Sequence, residues 1–120
     1  MFPRSYPILN LSLLRQHLSA DDFALVQAIV KRDGTLRASK PEKACGEAKY
    51  LWRMVAFAIS PEPRHHCMPM MAFCDLPGRY GSDEYRAAEA RCSAIEKVVV
   101  AATPKSQQHG VQRWASAFGY

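Results

Sequence analysis

The chain has 120 residues, 48% hydrophobic and 22% charged, with a formal net charge of +5 and a pI near 9.2. That length suits one domain with one core built without help from disulfides or metal. No run approaches the roughly 18 apolar residues that cross a bilayer, and the dispersed glycines form no phosphate-cradling loop, which argues against a membrane-spanning protein and a nucleotide-binding enzyme.

The opening residues, Met1 to Pro7, lack a basic region followed by a long apolar one, so a cytoplasmic location is expected. The four cysteines, Cys45, Cys67, Cys74 and Cys92, are too few for a disulfide scaffold and are expected to stay reduced.

In chain order, Asn10 stands before Leu11, Leu14 and Leu18, a spacing that predicts a short helix with Asn10 as its N-cap. Ser19 with Asp22, and Leu18 against Phe23, predict the start of a second helix. Phe23, Val26 and Val30 would share its buried face, and Gly34 would end it after Asp33. The pair Ser39 and Glu42, with Pro41 between them, predicts a capping-box start for a third helix. Ala44, Ala48, Leu51, Val55 and Ala58 recur along it until Ser60-Pro61-Glu62-Pro63 forbids continuation.

Beyond the loop, Ser82 is the expected N-cap of a long helix, with Asp83 and Glu84 favouring its positive end. Tyr85, Ala88, Cys92, Ile95, Val99 and Ala102 form its apolar stripe. Thr103-Pro104 ends it, and a last helix is expected from about Ser106, burying Val111, Trp114, Ala115 and Phe118. The expected fold is therefore an all-α single domain over 1–120, with four to five helices around Trp52, Val55, Ile95, Val99 and Trp114. A proline-bounded irregular loop at about 60–81 interrupts it, and any β segment is expected between Met68 and Leu76. The stripe beginning at Tyr85 could alternatively pair two copies as a homodimer.

The loop from Pro61 to Pro77 gathers Arg64, His65, His66, Cys67 and Cys74 with Met68, Met70 and Met71. His65, Cys67 and Cys74 offer one imidazole and two thiolates, a donor set suited to zinc, but a structural site needs a fourth ligand and the spacing is not that of a zinc knuckle. Packed thiols and hydrogen-bonded histidines are the commoner outcome. Cys67 as a nucleophile would need a base and a group orienting that base, and adjacent histidines in an extended loop point opposite ways. No catalytic set is assigned, and no cofactor is required; zinc is the one to consider.

The charge is uneven: Lys31, Arg32, Arg37, Lys40, Lys43, Lys49 and Arg53 meet only Asp33, Glu42 and Glu47 in the same span. Such a face steers acidic partners. The sequence is accordingly read as a non-enzymatic binding protein. It would dock through Arg37, Lys40, Lys43, Lys49, Arg64 and His65 on an acidic surface of a larger protein or protein–nucleic acid complex. Small basic chains of this kind are often encoded by mobile elements, where blocking host defence is one occupation. The alternatives are largely non-specific contact with nucleic acid through phosphates, and a zinc-binding domain.

Overall fold

The computed structural model describes residues 6–41, 46–66 and 75–107. Asn10 caps α1 (Leu11–His17) by accepting the Leu13 N–H at 3.1 Å. Ser19 caps α2 (Ala20–Ile29) by accepting the Asp22 N–H at 3.2 Å. Each cap satisfies an amide that the first helical turn leaves without a carbonyl. The two helices turn their apolar sides inward, burying Leu14, Phe23, Val26 and Ile29.

α2 stops at Ile29 rather than continuing to Asp33. Val30 adopts an extended conformation and forms an antiparallel bridge with Leu36, while Ile8 bridges Thr35. Leu9 N–H donates to the Gly34 carbonyl and Leu36 N–H to the Pro7 carbonyl, so three short extended pieces share their backbone bonds. Gly34 is left-handed, at φ 89°, but it closes the turn from Lys31, whose carbonyl accepts its N–H at 2.9 Å. A Cβ there would stand 2.6 Å from the Leu9 carbonyl. The β-branched Ile29 and Val30 favour this exit from the helix. The segment in which β pairing was expected falls mostly within 67–74, outside the described residues.

The expected capping-box start at Ser39 is not found, since Ser39 lies in a bend and neither Lys40 nor Pro41 is helical. A residue before proline is pushed away from helical angles, and the Arg37 carbonyl is already committed to the Trp52 indole N–H at 2.9 Å. The described helix α3 is Gly46–Ile59, burying Ala48, Leu51, Trp52, Val55, Ala56, Ala58 and Ile59. One 3-10 turn, Pro63–His65, follows it.

Ser82 caps α4 (Asp83–Ala102) through the Tyr85 N–H at 3.2 Å. Of the expected stripe, Tyr85, Ala88, Cys92, Ile95 and Val99 lie in the core shared with α3, and Ala102 is half-buried against it. Val98, Val99 and Val100 are helical, with Val99 and Val100 buried and Val98 half-buried. The face considered for homodimerisation is thus filled from within the chain. α4 ends at Thr103, whose hydroxyl donates to the Val99 carbonyl at 2.8 Å. The side chain of Gln107, in a closing 3-10 turn, accepts the Ile8 N–H at 2.9 Å.

The architecture is all-α, as expected, and α3 against α4 forms its centre. Each fully buried Leu, Ile or Val there contributes about 1.5–3 kcal/mol. Trp52, Val55, Ile95 and Val99 occupy the core as expected, while Trp114 and the expected last helix lie outside the described residues. Among the described residues no helix is long and apolar enough to cross a membrane.

Candidate functional site

Trp52 is the organising side chain of the polar surface. Its ring is almost fully buried, its indole N–H holds the Arg37 carbonyl, and the His65 ring meets it edge-on at 5.0 Å between centroids. Tyr6 approaches His65 from another side at 6.3 Å. The stretch 37–38 and the turn 64–65 therefore meet over one tryptophan, although 27 positions separate Arg37 from Arg64.

The histidines are held by Ser60, a wholly buried residue at the end of α3. Ser60 Oγ accepts the Glu62 N–H at 3.1 Å and lies 2.7 Å from His65 Nδ1. His66 Nε2 lies 2.7 Å from the Ser60 carbonyl; a carbonyl only accepts, so that nitrogen carries the proton. Burial, and then the Arg64 charge, lower the pKa of His65, while the Ala38 carbonyl on its ring opposes the shift. A neutral His65 whose Nδ1 accepts from the Ser60 hydroxyl carries its proton on Nε2, the nitrogen left to donate to the Ala38 carbonyl.

A serine hydroxyl paired with an imidazole is the geometry of an activated nucleophile. Here the hydroxyl is closed off from solvent, so the pair pins the turn that carries Arg64 and offers no reacting atom to a substrate.

Of the residues expected to bind a partner, Arg37, Lys40 and Arg64 are exposed, while Lys49 and His65 are half-buried. Lys49 stands three residues before Trp52 on α3, the spacing of neighbours on one helix face. Lys43 lies outside the described residues, as do Cys67 and Cys74 of the expected metal set. The third member, His65, has Nδ1 engaged with Ser60. Among the described residues no group of three or more His, Cys, Asp or Glu could hold a metal ion.

Internal ion pairs consume part of the sequence's charge. Arg53 is bonded to Asp75 and so leaves the basic face to which the sequence assigned it. Arg91 on α4 reaches Asp22 at 2.6 Å and Glu47 at 3.0 Å. Asp33, the one acid between Lys31 and Lys40, takes the Thr35 N–H at 2.9 Å, and the Thr35 side chain first, with that backbone bond second, holds its pKa below the ordinary value.

The structure adds a feature absent from the sequence reading. A groove of about 410 Å³ lies between α1 and α2, lined by Leu11, Ser12, Arg15, Gln16, Phe23 and Gln27. Leu11 and Gln27 also line its continuation of about 330 Å³, which reaches Val30, Lys31, Arg32 and Arg37. Helical spacing was its only signal, since Phe23, Gln27 and Lys31 recur every four residues along and just past α2. Arg37 belongs both to this groove and to the surface around Trp52. Compared with protein-family models, curated proteins and solved structures, the chain matches none.

Proposed function

We propose that this chain is a non-enzymatic binding protein that docks a basic band on an acidic surface of a larger protein or protein–nucleic acid complex. The observation that carries the reading is the joint anchoring of Arg37 and Arg64 by Trp52: one buried ring fixes both stretches through the Arg37 carbonyl and the His65 ring. The basic side chains beside it are exposed at Arg37, Lys40 and Arg64. The ion pairs of Arg53 and Arg91 commit two other cations inside the domain, whereas none is formed by Arg37, Lys40 or Arg64 among the described residues. A fixed positive surface speeds encounter with an acidic partner and sets its orientation.

The mode of action is steric. A domain this small covers the working site of its partner, in the manner of inhibitors that mobile elements encode against host defence. Affinity capture with the wild type and with the double variant Lys40→Glu/Arg64→Glu tests the reading, with circular dichroism to establish that both are folded. The expected outcome is a partner recovered by the wild type and lost by the variant. Equal recovery by both removes the basis for the band. Tight binding to an arbitrary DNA duplex that collapses as salt rises would instead make nucleic acid the partner.

A further inference from the structure

We infer that the groove between α1 and α2 receives an acidic peptide segment of the partner, with one aliphatic side chain lying along the Leu11–Gln27 line. This rests on the docking reading above and names what one part of the surface takes. The charged residues lining the groove are Arg15, Lys31, Arg32 and Arg37, all cationic. Between them the lining is apolar at half-buried Leu11, with Phe23 and Val30 buried beneath it, and carries amides at Gln16 and Gln27. Cations at both ends, an apolar floor and amides able to bond a peptide backbone complement a short strand or turn of acidic residues around one Leu, Ile or Val.

The length agrees. Phe23 to Val30 spans about 10 Å along α2 at the helical rise, which accommodates about three residues of extended peptide.

The same lining disfavours nucleic acid. A single strand needs aromatic faces on which bases stack, and Phe23, the groove's one aromatic, already has the Arg15 guanidinium over its ring at 4.9 Å. A duplex backbone, for its part, has no use for an apolar floor. Residues 1–5 and 108–120 contain no Asp or Glu to complement these cations.

The test uses the full chain and a labelled nine-residue peptide of Asp and Glu with a central Leu, its analogue with Ser at the centre, and a single-stranded oligonucleotide of equal charge. Fluorescence anisotropy is expected to give about tenfold tighter binding of the Leu peptide than of the Ser analogue, the value of one buried aliphatic side chain. The double variant Gln27→Glu/Arg32→Glu, both at exposed positions, is expected to weaken the Leu peptide by about tenfold or more. Lys40→Glu/Arg64→Glu, outside the groove, should leave it nearly unchanged. Equal affinity for the Leu and Ser peptides overturns the inference, and so does tighter binding of the oligonucleotide. The two readings fail separately: a natural partner lost with Lys40→Glu/Arg64→Glu but retained by the groove variant keeps the basic band and removes its acidic-peptide groove.

Discussion

His65 Nδ1 lies 2.7 Å from the hydroxyl of Ser60, and that hydroxyl, wholly buried, also receives the Glu62 N–H. A neutral imidazole in the turn Pro63–His65 is thus held against the end of α3. Burial first, and the Arg64 charge second, lower the pKa of His65, with Glu62 opposing and His66 adding to the shift. A folded-state pKa below the unfolded value means that the unfolded chain binds the proton first. The stabilisation is therefore fully present above about pH 6.5 and declines as the pH falls through and below that value. Urea midpoints at pH 8 and pH 5.5 are expected to differ less in His65→Gln than in the wild type. Equal pH dependence in both proteins would place the titration elsewhere. Ser60→Ala, which strands the Glu62 N–H, is expected to cost about 1–3 kcal/mol at either pH.

Trp52→Phe tests whether the indole N–H fixes the 37–40 stretch. The change keeps a ring against His65 and removes the bond to the Arg37 carbonyl. Arg37 is exposed, so its carbonyl can turn to water, and the expected loss of stability is only about 1 kcal/mol. Amide hydrogen exchange at Ala38 to Lys40 should nonetheless rise more than exchange within α4. A uniform rise across the chain would mean that the tryptophan acts through general packing alone.

Gly46 opens the described part of α3, where a Cβ would collide with the backbone carbonyl of Asp75. Backbone cannot yield as a flexible side chain can, so Gly46→Ala is expected to cost about 2–3 kcal/mol and to disturb the neighbouring Arg53–Asp75 pair. Gly81 is the contrast: its φ is 81° with nothing within 4 Å, and Gly81→Ala carries only the left-handed penalty of about 1–2 kcal/mol. Thermal unfolding of the two variants checks the order, and a costlier Gly81→Ala would refute the close approach at Asp75.

What the sequence disclosed, and what it hid, follows the range of the forces involved. Asn10, Ser19 and Ser82 were legible as caps because a cap is a bond across three residues, and the Tyr85 to Val99 stripe was legible because its period is local. The end of α2 was misread because Val30 is decided by Leu36, a partner that helix signals do not include. The same holds for the start of α3, where Trp52 draws on the Arg37 carbonyl from 15 positions away. At the surface, Arg37, Lys40 and Arg64 were legible as charges, but their common anchor was not. Arg53 looked equally available until Asp75, 22 positions on, claimed it. Arg15 and Gln27 gave no signal singly, and the groove arises only when α1 folds onto α2.

Arg91 is the sole described link by side-chain charge among three helices, joining α4 to Asp22 in the first turn of α2 and Glu47 in the first turn of α3. Its own pKa is raised, chiefly by its bond to Asp22, so the cation persists at any working pH. The three side chains are 34%, 29% and 22% exposed, which screens the attraction and lets both carboxylates rehydrate if the arginine is removed. Arg91→Met is therefore expected to cost about 1 kcal/mol, rather than the larger loss of a buried pair. Arg91→Lys should recover less than half of it, because one ammonium cannot reach two carboxylates with the fixed geometry of a guanidinium. The cost should shrink between low salt and about 1 M, where the screening length is near 3 Å. Chemical denaturation in urea at both ionic strengths provides the check, since urea adds no ions. A loss that ignores salt would show that the apolar stem of the arginine matters more than its charge.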